Sequence, residues 1–408
     1  MKKAGPIFNV FSEPSQSGVA LKNRSLKREI IRHIDSNGVC TITEVSKELN
    51  ISVPKVTSLM NELIAEGLVQ DEGKLDSTGG RRASIYGLVS DACYFVGVDV
   101  KRHHINFGLM DFNKNIISRN DKSAFLLENS QQSLDNLLAE MENFLAGCPV
   151  ERHKILGIGL NLGGRIDHTT GHNFNHFNFL DTPLTAIIKN EKGIPAFLEN
   201  DSRAMALGEL HSGIVTNEKD IIFMNLDYGI GTAIFIDGKL YYGKSGFSGE
   251  LGHIPMFDNE VLCPCGKKGC LQTEASGYAL IRKFRERIKK GASSSLLKKN
   301  KKMEEITLED IITEAIREDV LCIELLAEFG EKLGKAMAVL INIFNPELII
   351  LGGVLSESGD YIRLPAKSTL NKFSLGLVNN DTELKLSNSG EGSGVVGACL
   401  NARSKIIF

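Results

Sequence analysis

The 408-residue chain is long enough for two or three domains, and its 42% hydrophobic content is typical of a globular protein. A formal net charge of −3 excludes a protein that coats nucleic acid over its whole surface, but it leaves room for a local basic patch. The longest apolar runs, such as Leu348 to Leu351, stop far short of the roughly 20 residues that a membrane helix needs, and eight scattered cysteines exclude a disulfide scaffold.

The N-terminal residues 1–22, which contain the polar stretch SEPSQSG, are predicted to form a flexible arm. No sustained apolar segment follows Lys2 and Lys3, so a secretory signal is not expected. We therefore predict a cytoplasmic protein that does not contact the membrane.

Residues 23–90 are predicted to fold as a winged helix-turn-helix domain. An amphipathic helix over 25–35 is followed by a second helix capped by Thr43 and, after a tight turn, by a third helix capped by Ser52. Two β-like runs around a polar, glycine-rich tip then predict the wing. The inward stripe of the third helix is predicted to consist of Val56, Leu59, Met60, Leu63 and Ile64.

The third helix is the one expected to enter the major groove of DNA. Arg81 and Arg82 are near the wing tip, where they are suited to contact phosphates or a narrow minor groove. Residues 1–90 contain 12 Lys and Arg against 10 Asp and Glu, so this end has a net charge of about +2 and the rest about −5. The alternative is a helical bundle whose hairpin binds nothing. The side chains predicted to point outward from the third helix are Lys55, Thr57, Ser58 and Asn61.

Beyond residue 90 the pattern is that of an α/β body. Strand-like runs joined by tight turns begin at Tyr94 and again at Ile221, and each set leads into helices, which suggests a duplication. We predict two lobes, at about 91–214 and 215–390, with a ligand-binding cleft between them and a C-terminal helix over 391–408.

Three of the eight cysteines, Cys263, Cys265 and Cys270, crowd into the stretch CPCGKKGC. In a reducing compartment such a cluster is expected to hold metal or do chemistry, and we favour metal. The other cysteines are isolated among apolar neighbours and are predicted to be small buried hydrophobic residues: Cys40, Cys93, Cys148, Cys322 and Cys399.

The stretches LENDSRAMALGE, SGELGHIP and CPCGKKGCLQTEASG, preceded by the predicted winged helix, resemble the ROK family of repressors and sugar kinases. The resemblance covers nearly the whole chain and implies a two-lobed, actin-like ATPase fold beyond residue 90. It also implies a structural zinc ion. The thiolate and imidazole ligands that match the family, and that suit a tetrahedral site, are His253, Cys263, Cys265 and Cys270.

The same resemblance implies a sugar site. His253 could serve both the zinc ion and the sugar, one through each ring nitrogen. Gln272 replaces the glutamate usual in the family, so the pattern leaves the preferred sugar open. Asn200 and Asp201 could also simply cap the helix that follows them. The residues expected to hold sugar hydroxyls are Gly164, Asn178, Asn200, Asp201, Glu250, His253 and Gln272.

Two turns that bind ATP phosphates in the kinases of the family are altered in this chain. Asp99-Val100-Lys101-Arg102-His103 replaces Asp-x-Gly-Gly-Thr, and Leu226-Asp227-Tyr228-Gly229 replaces Leu-Gly-Thr-Gly. Bulk and a carboxylate then lie where bare backbone N–H groups should meet a polyanion. Asp201 matches the general base of those kinases, but we expect it to bind sugar without catalysing, and we predict that the chain is not an enzyme.

The sequence therefore predicts a sugar-responsive repressor of carbohydrate metabolism genes that binds double-stranded operator DNA as a homodimer or homotetramer. Two alternatives stay open. One is an ATP-dependent hexose or N-acetylhexosamine kinase, and the other is a DNA-binding scaffold whose effector is a partner protein.

Overall fold

The computed structural model describes residues 10–11, 18–74, 83–299, 302–390 and 392–408, and these divide between two units. Unit 1 takes its residues from 1–162, 169–199 and 398–408, and unit 2 from 163–168 and 200–397. The winged helix therefore belongs to the same unit as the strands that follow it. The predicted lobes placed 200–214 in the first half of the body, whereas these residues group with unit 2.

The winged helix consists of α1 (Val19–Asn37), α2 (Ile42–Glu48), α3 (Val53–Ala65), β1 (Val69–Lys74) and β2 (Ser84–Leu88). The two strands pair antiparallel, as expected for a wing. Ser52 is the N-cap residue of α3, and Pro54 lies in the first turn of that helix.

Three details of this domain differ from the sequence prediction. Helix α1 begins at Val19. The cap of α2 is Thr41, not Thr43, because Thr41 has Glu44 three residues on, and the two close a capping box with bonds of 2.7 and 3.2 Å. Ile64 is 36% exposed, since the buried stripe ends at Leu63 and the next residue turns about 100° around the helix.

Part of the predicted arm is packed against unit 1. Val10 is 2% exposed, and its carbonyl accepts a hydrogen bond from Arg28 Nε at 3.0 Å. The ring of Phe11 meets that of Phe112 edge-on, with centroids 6.2 Å apart. Residues 1–9 and 12–17 of the arm lie outside the described residues.

A five-stranded sheet forms the centre of unit 1, with strand order β5-β4-β3-β6-β9. Strands β3, β4 and β5 pair antiparallel, and β3 pairs parallel with β6. The elements of this stretch are β3 (Tyr94–Val100), β4 (His104–Asp111), β5 (Ile116–Ala124), α4 (Gln131–Gly147), β6 (Ile155–Leu162), β7 (Ile166–Asp167), β8 (His172–Asn173), α5 (Leu184–Lys192) and β9 (Ala196–Asn200).

Unit 2 repeats this arrangement, with strand order β12-β11-β10-β13-β14 and parallel pairing of β10, β13 and β14. The repeated order agrees with the duplication inferred from the sequence. Its elements, with the last helix that ends in unit 1, are α6 (Asp201–His211), β10 (Ile221–Leu226), β11 (Ile230–Ile236), β12 (Lys239–Leu240), α7 (Gly277–Lys289), α8 (Leu308–Ile316), α9 (Val320–Phe344), β13 (Leu348–Gly352), α10 (Asp360–Phe373), α11 (Gly376–Asp381), β14 (Glu383–Leu386) and α12 (Gly392–Ile407). Among the described residues, no helix is both long and apolar enough to cross a membrane.

The winged helix and the sheet of unit 1 share one hydrophobic core. Ile30 and Ile34 of α1 belong to the same buried cluster as Phe95 of β3 and Ile407 of α12. Phe112, directly after β4, is also part of this cluster. The winged helix is therefore packed onto the sheet of its unit by buried apolar surface, which is the dominant favourable term in folding.

A buried ion pair strengthens this packing. The guanidinium of Arg403, on α12, donates to both carboxylate oxygens of Asp35, on α1, at 2.6 and 3.1 Å. Arg403 also donates to the carbonyl of Phe112, and Lys114 Nζ lies 2.9 Å from Asp35 Oδ1. The side chain of Arg403 is only 3% exposed, so the winged helix is held by charge as well as by apolar contact.

Candidate functional site

A cluster of one imidazole and three thiols lies in unit 2. Its ligand atoms, from His253, Cys263, Cys265 and Cys270, all lie within 4.8 Å of one another. The chain reaches this arrangement by sharp turns, since Gly266 and Gly269 both have positive φ values, and a Cβ at Gly269 would come within 2.2 Å of the carbonyl of Phe257. These are the four residues that the resemblance assigned to the metal.

The spacing of these atoms fits a tetrahedral metal ion. A zinc ion with bonds of about 2.3 Å to sulfur and about 2.0 Å to nitrogen would hold two sulfurs about 3.8 Å apart and a sulfur about 3.5 Å from nitrogen. The sulfurs of Cys265 and Cys270 are 3.7 Å apart, and Cys263 Sγ is 3.4 Å from His253 Nδ1. The cluster could therefore hold a metal ion with little movement.

Ionisation of the buried Cys270 thiol is unfavourable without a cation. Burial, and then hydrogen bonding with Cys265 and Cys263, raises the pKa of the Cys270 thiol to about 12. A bound cation would reverse this preference, because a coordinating thiol is deprotonated outright.

His253 links the cluster to a carboxylate. Its Nδ1 faces Cys263, while its Nε2 lies 3.7 Å from Glu250 Oε2. One ring nitrogen therefore faces the thiols and the other faces Glu250. The predicted double role of His253 toward zinc and a sugar stays a prediction. Glu250 itself is exposed, so its carboxylate is accessible to a ligand.

Asn200 caps helix α6 and holds a turn. Its Oδ1 accepts hydrogen bonds from the backbone N–H groups of Ser202 and Arg203 at 3.1 and 3.2 Å. Its Nδ2 donates to the carbonyl of Gly164 at 3.1 Å. The capping alternative is therefore correct for Asn200, and the same side chain joins two of the predicted sugar-binding residues.

Asp201 follows at the first position of α6. Its Oδ1 accepts from the backbone N–H and the hydroxyl of Ser202 at 2.8 and 3.2 Å. A Cβ on Gly163 would lie 3.7 Å from the other oxygen, Oδ2, so a bare glycine backbone borders this oxygen. A carboxylate in the first turn of a helix is also favoured by the helix dipole.

Gln272 and Glu250 flank tightly packed glycines. A Cβ on Gly252 would lie 3.2 Å from Gln272 Oε1, and one on Gly249, which has φ +84°, would lie 2.3 Å from the carbonyl of Thr232. Glycine at 249 therefore lets the segment that carries Glu250 approach β11 closely.

Asn178 lies in unit 1, where its amide is paired with that of Asn129. Asn129 Nδ2 donates to Asn178 Oδ1 at 2.7 Å, and Asn178 N–H donates to Asn129 Oδ1 at 3.1 Å. A sugar role for Asn178 stays a prediction. No sequence motif pointed to Asn129, which is 49 positions away from Asn178.

The first altered turn, in unit 1, contains an internal ion pair. Lys101 Nζ lies 3.3 Å from Oδ2 of Asp99, whose side chain is completely buried. The backbone N–H of Lys101 donates to the carbonyl of His104 at 2.9 Å and closes the hairpin between β3 and β4. The Lys101 ammonium is therefore paired with the Asp99 carboxylate of the same turn.

The second altered turn, in unit 2, is closed by the start of α7. The N–H groups of Gly277 and Tyr278 donate to the carbonyls of Asp227 and Tyr228 at 2.9 and 3.2 Å. The rings of Tyr228 and Tyr278 lie 5.3 Å apart. The start of α7 therefore contacts this turn through its backbone and through the Tyr278 ring.

The four side chains of α3 that are predicted to contact DNA differ in exposure. Ser58 and Asn61 are exposed, whereas Lys55 is half-buried and donates to Asn23 Oδ1 at 2.7 Å. Thr57 is also half-buried, and its hydroxyl donates to the carbonyl of Val53 at 2.8 Å. Arg81 and Arg82 lie outside the described residues, so their role at the wing stays a prediction.

Comparison with known proteins agrees with both parts of this architecture. The chain matches the family model described as ROK family over residues 95–405, and the model described as winged helix-turn-helix DNA-binding over residues 24–70. The xylose repressor of Bacillus subtilis (strain 168) is 30% identical over 370 residues, which cover 90% of this chain and 92% of that protein.

Two solved structures are similar over most of their length. A ROK family transcriptional regulator, a homologue of the E. coli MLC protein, matches with a TM-score of 0.79 and 25% identity, covering 95% of this chain and 98% of that chain. A ROK family glucokinase from Streptomyces griseus, in complex with glucose and AMPPNP, matches with a TM-score of 0.67 and 27% identity, covering 76% of this chain and 99% of that chain.

Fold and motifs together define a winged helix-turn-helix domain joined to an actin-like sugar kinase fold. The chain belongs to the ROK family.

Proposed function

We propose that this chain is a DNA-binding repressor of carbohydrate metabolism genes, and that its ROK domain binds a sugar as an effector without phosphorylating it. The observation that carries the proposal is the union of a winged helix with a ROK domain in one chain. The xylose repressor of B. subtilis is similar over 90% of this chain.

The polar groups of unit 2 support a sugar as the ligand. Gly164, Asn200 and Asp201 are joined by hydrogen bonds or by the chain itself, and Glu250 stands beside His253. Hydroxyl-rich ligands need several fixed donors and acceptors, because each hydroxyl buried without a partner costs about 1–3 kcal/mol. Carboxylates and amides held by a helix cap supply such fixed groups.

The two altered turns support an effector role over a kinase role. In the first, Lys101 neutralises the buried Asp99. In the second, Tyr228 and the start of α7 enclose the backbone, and Asp227 adds a negative charge. Bulky side chains and a carboxylate at these turns oppose the binding of a nucleoside triphosphate, whose phosphates need bare backbone N–H groups and positive charge.

Zinc is the ion proposed for the cluster of His253 and the three cysteines, and its role is structural. Three thiolates and one imidazole fill a tetrahedral site and leave no open position for chemistry. In the occupied cluster the imidazole of His253 would be held in one orientation, with its Nε2 next to the Glu250 carboxylate.

Replacing Asp201 by Asn is expected to weaken sugar binding by about 10- to 100-fold, because a hydrogen bond to a charged group is worth about 1.5–3 kcal/mol. Asparagine keeps a side-chain oxygen that can accept the hydrogen bonds from Ser202 and loses only the helix-dipole contribution of about 0.3–1 kcal/mol, so the melting temperature of the unliganded variant is expected to fall by no more than about 4 °C. The measurement is the rise in melting temperature (the thermal shift) on addition of D-xylose, D-glucose or N-acetyl-D-glucosamine, since a bound ligand stabilises the folded chain.

The matched control is Asp360→Asn, which makes the same change in the first turn of α10. An unchanged thermal shift in Asp201→Asn would remove Asp201 from the sugar site. Sugar-dependent ADP formation by the natural chain, lost in Asp201→Asn, would instead establish the kinase alternative. A chain that binds DNA but is shifted by no sugar of the panel would favour the partner-protein alternative.

Arg81→Ala and Arg82→Ala are each expected to weaken DNA binding and flatten its salt dependence. The slope of log affinity against log salt should fall by about 0.9 for each phosphate contact that is lost. Fluorescence anisotropy at several salt concentrations, on a DNA fragment selected from a random pool by the natural chain, measures this slope. Arg119→Ala, whose guanidinium pairs with Asp121 on β5, is the control, and unaltered affinity of both wing variants would remove the wing from the interface.

A further inference from the structure

Three planar side chains lie in contact within unit 2, away from the metal cluster. The imidazole of His168 stacks on the ring of Tyr242 with centroids 4.0 Å apart and planes at 21°. The guanidinium carbon of Arg203 lies 5.3 Å from the centroid of the same Tyr242 ring. We call these residues the Arg203–Tyr242–His168 stack.

Arg203 is bound firmly at its other contacts. Its side chain lies on α6, only 4% of the residue is exposed, and its Nη2 donates to the carbonyl of Ser248 at 3.0 Å. Ser248 in turn donates through its backbone N–H to the carbonyl of Tyr242 at 3.2 Å. A planar guanidinium can donate in its plane while its face lies against a ring, whereas a lysine ammonium is a compact point charge with no planar face.

The stack closes a ring of contacts between three chain segments. Asn200 joins α6 to the segment 163–168 through Gly164, His168 joins that segment to 241–250, and Arg203 joins 241–250 back to α6. The segment 241–250 has no regular secondary structure, so side-chain ties such as these fix its position.

The same three segments carry the proposed sugar-binding groups. Gly164 lies on the first, Asn200 and Asp201 lie at the start of α6, and Glu250 ends the third. We propose that Arg203 and Tyr242 are positioning residues that set the spacing between the carboxylates of Asp201 and Glu250, and so determine which sugar the chain prefers. This inference rests on the proposed sugar-binding function and adds residues to which the sequence motifs assigned no role.

The physical reason is geometric. A sugar hydroxyl accepts little displacement of its hydrogen-bond partner, since these bonds weaken steeply away from about 2.7–2.9 Å and a straight angle. Loss of one tie in a closed ring frees the segment with Glu250 relative to α6 without touching the ligand. The effect should therefore depend on which hydroxyls a given sugar presents to Glu250.

The test compares Arg203→Lys, Tyr242→Leu and Tyr242→Phe with the natural zinc-loaded chain, by titration calorimetry with D-xylose, D-glucose and N-acetyl-D-glucosamine. Arg203→Lys and Tyr242→Leu are expected to weaken binding of the preferred sugar by about tenfold or more and to change the order of affinities among the three. Tyr242→Phe keeps the ring and is expected to stay within about twofold of the natural chain. Tyr241→Leu is the matched control, because Tyr241 is adjacent and exposed and its ring is not part of the stack.

Zinc content and the unliganded melting temperature are measured for every variant, and a Tyr242→Leu chain that fails to fold is replaced by His168→Ala. Natural-like affinity in Arg203→Lys and in the variant that breaks the ring contact would overturn the inference while leaving the proposed function intact. An equal loss for all three sugars, with a parallel fall in the unliganded melting temperature, would also overturn it, because it would indicate a purely structural role. Failure of the natural chain itself to bind any of the three sugars would instead overturn the proposed function.

Discussion

Replacement of Cys270 by Ser is expected to empty the metal site and to lower the melting temperature of the protein by about 10 °C or more. Cys270 is completely buried, and its sulfur lies 3.7 Å from that of Cys265. A serine hydroxyl is a poor ligand for zinc, whose structural sites use thiolates and imidazoles. Metal binding to such a site is folding free energy, so its loss should cost on the order of 5 kcal/mol, and each kcal/mol lowers the melting temperature of a domain of this size by about 2–4 °C.

Metal content per chain after dialysis, measured by mass spectrometry of the elements, and thermal unfolding test this expectation together. The natural chain should hold about one zinc ion, as a single tetrahedral site of four ligands requires, and Cys270→Ser less than about a tenth of that. Cys148→Ser is the matched control, because Cys148 is a half-buried thiol of unit 1 that lies outside the cluster. A natural chain without metal, or a Cys270→Ser chain that keeps its metal, would contradict the assignment.

Breaking the ion pair between Arg403 and Asp35 is expected to cost about 3–5 kcal/mol of the free energy of unfolding, because it leaves a carboxylate buried without its main partner. The Arg403 side chain is 3% exposed and that of Asp35 is 10% exposed. Arg403→Met keeps an apolar stem of similar shape and removes the guanidinium group, with its charge, its hydrogen bonds and its contact with the Phe112 ring. We expect loss of the ion pair to loosen the winged helix in particular, since Asp35 belongs to α1.

Urea unfolding followed by circular dichroism measures the change. Arg152→Met is the control, because Arg152 pairs with Glu142 where both side chains are more than 40% exposed, and such surface pairs contribute at most about 1 kcal/mol. The double variant Asp35→Leu with Arg403→Met should recover part of the loss, since apolar residues can replace a buried pair. Equal unfolding midpoints for Arg403→Met and Arg152→Met would contradict this role of the pair.

Local patterns predicted the winged helix well, because helix caps and stripes depend on neighbours in sequence. The buried stripe from Val56 to Leu63 and the position of the N-cap at Ser52 follow from spacing and residue type, although the Ser52 side chain makes no capping hydrogen bond. The errors are also local: Thr43 has a suitable side chain for a cap, but Ser46 three residues on cannot complete the box that Glu44 completes for Thr41.

Side-chain contacts between residues far apart in the chain could not be predicted from the sequence. Asp35 and Arg403 are 368 positions apart, and neither belongs to a motif. The Arg203–Tyr242–His168 stack joins three segments that only the tertiary fold brings together. Charge and planarity alone do not say which partner a side chain will find, so such ties can be identified only after the fold is known.

The metal cluster was predictable for a different reason. Three of its four ligands lie within the stretch CPCGKKGC, and turns of the chain can bring them together without help from the rest of the fold. The candidate sugar site is intermediate, since Asn200 and Asp201 are adjacent in sequence, whereas their relation to Glu250 depends on the packing of β11 and α6.

The central claim is that a sugar controls DNA binding by this chain without being phosphorylated. Its most direct test is the affinity of the zinc-loaded protein for its selected DNA, measured by fluorescence anisotropy with and without D-xylose, D-glucose and N-acetyl-D-glucosamine, with ADP release followed in parallel in the presence of ATP. We predict that one of these sugars changes the DNA affinity by about tenfold or more, as a coupling free energy of about 1–3 kcal/mol allows, and that no ADP forms. Steady ADP release with a sugar, together with a DNA affinity that no sugar alters, would contradict the account.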